Sequence, residues 1–445
     1  MLTRKEWLIK QITQSDSRPP SKLVAKHVKM AGSPFFFFRG SAPLFYQDIA
    51  DGKLEIPNEL ENCPKTMIMG DCHTSNFGFF TEEGSHNDHV IFGPNDFDDA
   101  CVGMAAWDIS RYLTSLVLCT KHCALLTNKT TNSVFPDQSK LQGKISVDES
   151  QLHRAMEQFL DGYCITLQRI VESPPARNNA IDSFPKPHIL NKRYIKACDR
   201  ACDGDAFYTA SSLAKFVDFD QTPLDFIKDD SKFEQLDPIE IARIKDAISP
   251  YVDDSILSVV KRLDAGTGSL NLPRYYLLVA PERADRSSAP LSHIVEVKQQ
   301  LPASPLKNFS KLSPINTLNP AHLTVVCQRR MQRRADLVLD DIYWNERHWL
   351  IRSRHHAKVG IQPEHIAIGK KAVVKNGFAQ YAHTCGQALA LAHSRSDKRS
   401  TQFELSHLSA ITKVATTLIE SCLEYADSVV SDTELFRELI EDEKN

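Results

Sequence analysis

Short apolar runs and long amphipathic stretches alternate along the chain. Residues 65–70 (KTMIMG) and 89–93 (HVIFG) are brief apolar runs ending at glycine, the pattern of buried strands. Residues 107–124 place Ile109, Leu113, Leu116 and Val117 near a helical repeat, and 149–172 do the same with Leu152, Met156, Phe159, Leu160 and Tyr163. Asp148, three residues before Gln151, predicts the start of that second helix. Residues 274–280 (RYYLLVA) and 293–298 (HIVEVK) are strand-like, and 341–352 (DIYWNERHWLIR) predicts a hairpin turning at Asn345-Glu346. Helices are expected over 322–338, 377–396 and 404–441. In SPFFFFRG (33–40), alternation puts Phe35 and Phe37 on one face and Phe36 and Phe38 on the other. Polar or proline-rich stretches at 125–148, 173–188 and 301–320 read as surface loops, lids or insertions. The order is helix-rich, then β-rich near 265–355, then helix-rich, which predicts an α+β protein.

Composition narrows this picture. A chain of 445 residues has room for two to four domains, or one large two-lobed one. With 42% hydrophobic and 24% charged residues it is a folding sequence, and global disorder is excluded. The 53 basic residues against 56 acidic ones give no basic bias, so no nucleic-acid partner is expected. No run of 18 apolar residues exists and the N-terminus lacks an apolar leader, so no membrane partner is expected. The eleven cysteines form no CxxC pair. Cys119/Cys123 and Cys198/Cys202, at i,i+4, read as half-buried helix residues rather than metal ligands. A reducing, cytoplasmic location fits this usage.

Candidate chemistry concentrates in two acidic loops, each directly after a strand-like run. The first is Gly-Asp-Cys-His-Thr-Ser-Asn (70–76), the second Asn-Asp-Phe-Asp-Asp (95–99). In phosphoryl transfer an Asp orients the nucleophile's proton, an Asn five residues on holds a metal, and an Asp-Phe on the next loop ties that metal to the phosphates. Asp71, Asn76 and Asp96 fill these positions in order, with Asp98 as a further candidate ligand. Hard oxygens of this kind suit Mg²⁺. The bland alternative is a set of turn and cap residues. Asp99 reads as solvated, His73 as a loop-ordering hydrogen bonder, and Asp108 as either a helix cap or a group ordering the loop's backbone N–H groups. Further on, Asp-Ala-Gly-Thr-Gly-Ser (264–269) joins two strands and Lys298 ends the next one. Gly266, Gly268 and Ser269 could let backbone N–H groups reach phosphates that Lys298 neutralises; a plain hairpin turn is the alternative. Arg39 could bind an anion or pair with a carboxylate such as Asp98. Arg352, Lys358, His393 and Arg395, and the Arg329–Arg334 arginines, read by default as charged surface.

The motifs SPFFFFRG, GDCHTSNFG (70–78), NDFDD, WDISR (107–111), GTGSLNLPRYYLLV, VEVK and AHSRSD (392–397) resemble an uncharacterised bacterial family, domain of unknown function 2252, over about residues 25–400. That family is similar to the protein-kinase-like superfamily, in particular aminoglycoside and choline phosphotransferases, whose loops read H-G-D-x4-N and I-D-F. The resemblance implies that Asp71 is the catalytic Asp, Asn76 and Asp96 hold metal, Gly266 and Gly268 belong to the phosphate loop, and Lys298 binds phosphate. Three departures stand out. Met69 replaces the usual histidine, so the loop must be ordered by something else. The Gly-rich turn and lysine follow the catalytic loop instead of preceding it, which implies a circularly permuted two-lobed fold. No Glu partner for Lys298 is evident, since the 322–338 segment offers Gln328 and Arg329. The expected organisation is an extension (1–24), a helical catalytic lobe (25–261), a β-rich nucleotide lobe (262–360) and C-terminal helices (361–445). The expected function is Mg²⁺- and ATP-dependent transfer to an unknown hydroxyl acceptor, by phosphoryl or AMP transfer. The rivals are a non-catalytic nucleotide-binding module and a metallophosphoesterase, the latter suggested by Asp71-Cys72-His73 with His86 and His89 nearby.

Overall fold

The structure is a computed structural model that describes residues 2–86, 88–128, 140–263 and 272–442. It is an α+β protein. β1 (Thr66–Ile68) pairs with β4 (Cys101–Gly103), while β2 (Phe77–Thr81) and β3 (Val90–Pro94) form a hairpin to which β13 (Val359–Gly360) adds. β5 (Val217–Asp218) and β6 (Asp225–Phe226) make a small ribbon. Among the described residues, β7 (Phe233–Glu234), β8 (Ser255–Arg262), β9 (Arg274–Ala280), β10 (His293–Gln299), β11 (Leu339–Trp344) and β12 (Arg347–Ser353) form an antiparallel sheet in the order β11-β12-β10-β9-β8-β7.

The predicted elements form where their local chemistry supports them. Asp148 and Gln151 make a reciprocal capping box at the start of helix Glu149–Glu172. The hairpin turns at Asn345 and Glu346, both at positive φ, as a tight two-residue turn between right-twisted strands requires. Helix Ala105–Thr127 runs further than its pattern suggested and takes the first residues of the 125–148 stretch; 129–139 lie outside the described residues. Two readings need correction. The phenylalanine run is a helix, Pro34–Gly40, because Ser33 accepts the Phe36 N–H and Pro34 sits in the first turn. Phe35, Phe37 and Phe38 are buried and Phe36 is half-buried. The helix expected over 322–338 spans Pro320–Met331; beyond it the chain extends and Arg333 pairs with Glu82.

Helices Ala105–Thr127, Glu149–Glu172, Gly377–Arg395 and Gln402–Glu441 share one hydrophobic core with the helices of the first sixty residues. Helix Pro320–Met331 joins this core to the sheet: Leu323, Cys327 and Met331 pack into it, and Val325 meets Leu339 and Leu350 of the sheet. Along the central strands nearly every residue is buried, and side chains alternate between the two faces of the sheet. Tyr275, Leu277, Val279, Val295, Val297, Trp349 and Ile351 pack with Ile244 and Ile248 of helix Pro238–Ile248. The intervening residues, Arg274, Tyr276, Glu296, Lys298 and Arg352, form the other face and carry the polar chemistry.

Candidate active site

The 69–76 loop leaves β1 and enters β2, and the 95–99 loop leaves β3. Because β2 and β3 pair from Phe77↔Pro94, the two loops meet where the hairpin opens, and the Asn95 N–H donates to the Asn76 carbonyl. Hydrogen bonds hold the first loop from several directions. The Asp108 carboxylate accepts the N–H groups of Met69 (2.6 Å) and Gly70 (3.1 Å) and contacts His393 Nε2 at 3.1 Å. Asp108 therefore orders the loop and does not cap its own helix, whose N-cap is Met104. Tyr46 donates to the Gly70 carbonyl, Ser115 accepts the Thr74 N–H, and Tyr381 donates to the Thr74 carbonyl. His73 is buried and accepts the Ser75 N–H at Nδ1, as a loop-ordering group would. Gly70 has φ +75°, and a Cβ there would lie 1.9 Å from the Asp99 carbonyl oxygen, so no side chain fits.

Asp71 projects from this loop. Its Oδ1 accepts from Nε and Nη2 of Arg111 at 2.8 and 2.6 Å, and Oδ2 lies 3.6 Å from His73 Nε2. Arg111 is fully buried, stacks over Phe38 and also donates to the Phe38 carbonyl. Burial raises the Asp71 carboxyl above the usual carboxylate range, although Arg111 pulls it down. Asn76 donates its amide to the Asp71 carbonyl at 2.9 Å, which leaves its Oδ1 uncommitted. Burial also raises Asp96, and the neighbouring Asp98 charge adds to this.

The sheet face opposes these loops. Lys298 is buried and ion-pairs with Asp98, while Arg352 lies 3.4 Å from the other Asp98 oxygen. Burial alone would raise Asp98, but Lys298 and Arg352 outweigh it and hold the carboxyl down to about 2. Glu296, two residues before Lys298 on the same face, is ringed by Arg274 (3.0 Å), Arg352 (2.9 Å) and Arg354 (3.1 Å). Burial opposes its charge, yet these arginines keep it well below the usual range. Lys358 is pushed down to about 8, first by burial and then by Arg354 and Arg352. Arg39 lies over Phe35 and Phe36, with its Nε buried and without a hydrogen-bond partner; burial lowers it, and the Asp71 and Asp96 charges oppose that. Loops and sheet enclose a cavity of about 920 Å³, with Asp71, Asn76, Asp96, Asp98 and Asp99 on one side and Arg274, Glu296, Lys298, Arg352, Arg354 and Lys358 on the other.

The bacterial family described as "Uncharacterized protein conserved in bacteria (DUF2252)" matches residues 18–136 and 143–439. The chain belongs to this family. No curated protein and no solved structure matches it. In this family member Asp71, Asn76, Asp96, Asp98 and Lys298 all reach one cavity, although 200 residues separate Asp98 from Lys298. Gly266, Gly268 and Ser269 lie outside the described residues.

Several expectations change. Asp99 is not a solvated carboxylate; it accepts the Ser304 N–H at 2.6 Å, and burial together with the Asp71 charge raises it. Arg352 and Lys358 line the cavity instead of a surface face. His393 is fully buried between Tyr163 and Asp108, and Arg395 donates to the carbonyls of Arg177, Met331 and Asn179. The structure pairs Arg39 with no Asp98 oxygen and gives the Lys298 ammonium Asp98 in place of a helix Glu. His86 pairs with Asp253, and His89 with Asp182 and Glu82, so neither joins Asp71. The sequence reading missed Arg274, Glu296 and Arg354. Their signal was alternation: Glu296 and Lys298 fall on one strand face, and the strand registers place Arg274 opposite Lys298 and Arg352 opposite Glu296.

Proposed function

We propose that the cavity binds ATP with Mg²⁺ and transfers its γ-phosphoryl group to a hydroxyl acceptor, in a two-lobed, kinase-like fold that is circularly permuted. One observation carries this reading: the D-x4-N loop, the Asp-Phe loop and the lysine strand meet at one cavity. Further support comes from the order of elements, in which two paired strands lead to the lysine strand and then to a helix, as in the kinase lobe that carries the phosphate-binding lysine. The order Lys strand, helix, hairpin here follows the catalytic loop, hence the permutation.

The donor set fits the proposed metal. Asp96, Asp98 and the Asn76 amide oxygen are hard oxygens facing one cavity. When bound, Mg²⁺ would neutralise charge on the transferring phosphate. Arg39, Lys298, Arg352 and Lys358 supply the cationic surroundings for a polyphosphate. Arg111 occupies Asp71 Oδ1 and fixes the carboxylate, leaving Oδ2 to accept the acceptor's hydroxyl proton. The acceptor oxygen then bonds to the γ-phosphorus as the bond to the bridging oxygen breaks, and ADP leaves. Asp98 anchors Lys298 until phosphate oxygens share its ammonium. His86 and His89 pair with Asp253, Glu82 and Asp182 and not with Asp71, so the geometry favours phosphoryl transfer over the metallophosphoesterase reading.

A screen of hydroxyl acceptors with radiolabelled ATP tests the proposal. Transfer by wild type, and none by Asp71→Asn that still binds nucleotide, is the expected result. Nucleotide binding without transfer to any acceptor would favour the non-catalytic module.

A further inference from the structure

The turn joining β2 to β3 carries a second cluster, away from the cavity. His86 Nε2 lies 2.6 Å from Asp253 Oδ2, and His293 Nε2 lies 3.3 Å from Asp253 Oδ1. The ligand atoms of all three side chains fall within 4.8 Å of one another. They come from three separate segments: the β2–β3 turn, the residue run before β8, and the first position of β10.

With both imidazoles neutral, the hydrogen bonding is incomplete without a cation. His86 sits between two acceptors, the Glu83 carbonyl at Nδ1 (3.3 Å) and the Asp253 carboxylate at Nε2. A neutral imidazole has one N–H and can satisfy only one of them. His293 is 3% exposed, and its Nε2 is buried without a hydrogen bond of acceptable geometry while facing the same carboxylate. A divalent ion at the two Nε2 atoms and Asp253 resolves both problems. It lets His86 donate Nδ1–H to the Glu83 carbonyl, the outer hydrogen bond that metal-bound histidines ordinarily make. Tetrahedral zinc with bonds of about 2.0–2.1 Å separates its ligand atoms by roughly 3.3 Å. The two imidazoles reach different Asp253 oxygens, at 2.6 and 3.3 Å, and the three ligand atoms lie within 4.8 Å of one another, so metal binding requires side-chain shifts of up to about 1.5 Å.

The turn that presents His86 is fixed in advance. Gly84, at φ +71°, lets the backbone close on Ser353, where a Cβ would come within 2.0 Å of the Ser353 hydroxyl. Ser85 donates to the Arg354 carbonyl, and the Glu83 N–H donates to the Arg334 carbonyl. Asp253 is half-exposed, which gives an ion a path in and leaves room for a water as fourth ligand.

We infer that His86, Asp253 and His293 form a site for a divalent transition-metal ion, with Zn²⁺ as the fitting ion, that staples the β2–β3 turn to the ends of β8 and β10. Two imidazoles and one carboxylate favour such a metal over Mg²⁺ or Ca²⁺. The site is independent of the proposed nucleotide chemistry.

The test uses the full chain, stripped with chelator and titrated with Zn²⁺, or with Co²⁺ as a visible-absorption probe of tetrahedral geometry. Wild type should bind one equivalent at this site and gain thermal stability on binding. His86→Gln and Asp253→Asn alter exposed positions, and each should weaken binding by more than ~100-fold, beyond what losing an outer-shell partner costs. Their metal-free melting temperatures should match the stripped wild type. Asp96→Ala should bind Zn²⁺ as wild type does. No binding by wild type, or binding and stabilisation unchanged in both His86→Gln and Asp253→Asn, would overturn the inference and move any bound metal to the free cysteines or the acidic loops.

Discussion

On the loop side of the cavity, the backbone of the 69–76 loop and the Asp71 carboxylate are held by side chains of the surrounding helices. Asp108 holds two backbone N–H groups, Arg111 holds Asp71, and Tyr46, Ser115 and Tyr381 hold backbone atoms of the same loop. On the sheet side the charges mostly hold one another. Glu296 is shared by three arginines, and Lys358 sits beside two of them with its charge weakened. One side is built for fixed geometry and the other for charge that a ligand can redistribute. The Lys298–Asp98 pair is the joint between them. A phosphotransferase needs both: a rigid base and metal loop, and a cationic face poised for phosphates.

Breaking the rigid side should have the largest effect. Asp108→Ala removes a buried carboxylate and strands the Met69 and Gly70 N–H groups, so chemical denaturation should show a loss of about 3–5 kcal/mol. A near-wild-type midpoint would mean that the loop is ordered by other contacts. Asp71→Asn also leaves buried Arg111 without its counter-charge, so it should lower the midpoint, by less than Asp108→Ala because the amide oxygen can still accept from Arg111, and in the folded protein cut transfer by ~10²–10⁴-fold, the usual worth of a positioned proton acceptor.

Lys298→Met sharpens the contrast at the joint. It should weaken ATP binding by roughly 10–100-fold, the worth of about 1.5–3 kcal/mol for a hydrogen bond to a charged group; calorimetry reads this directly. The smallest effect is one of pH. Lys358 is charged below about 8 and neutral above it, so its attraction for phosphate is present at lower pH and fades as pH rises through 8. ATP affinity should decline a few-fold across that window in wild type. In Lys358→Arg, whose guanidinium stays charged, the decline should vanish.

The two sides also differ in how far the sequence exposed them. The loop side is local: a strand run, a D-x4-N spacing and a second acidic loop lie within 35 residues (65–99), and periodicity and capping mark the strands and long helices around them. Even there, alternation misled at the phenylalanine run, where Ser33-Pro34 was the stronger signal for a helix start. Asp99 looked solvated because its partner, Ser304, lies 205 residues away. The sheet side depends on such distant pairings throughout. Arg352 looked like surface charge because nothing nearby in sequence shows that Glu296 and Asp98 await it, and Lys358 because nothing nearby shows that it faces the same cavity. A charge's surroundings are set by tertiary register, and a single strand reveals only which residues share a face.

The central claim is that these two sides together hold Mg-ATP. Thermal unfolding of wild type and Asp96→Ala, with ATP in the presence and absence of Mg²⁺, tests it most directly. At about 100 times its Kd, a ligand that binds only the folded state adds about 2.7 kcal/mol of stability, readily seen as a rise in Tm. The account predicts a rise with ATP that is enlarged by Mg²⁺ in wild type, with the Mg²⁺-dependent part absent in Asp96→Ala. No rise with ATP in wild type, or an identical Mg²⁺-dependent rise in Asp96→Ala, would contradict it.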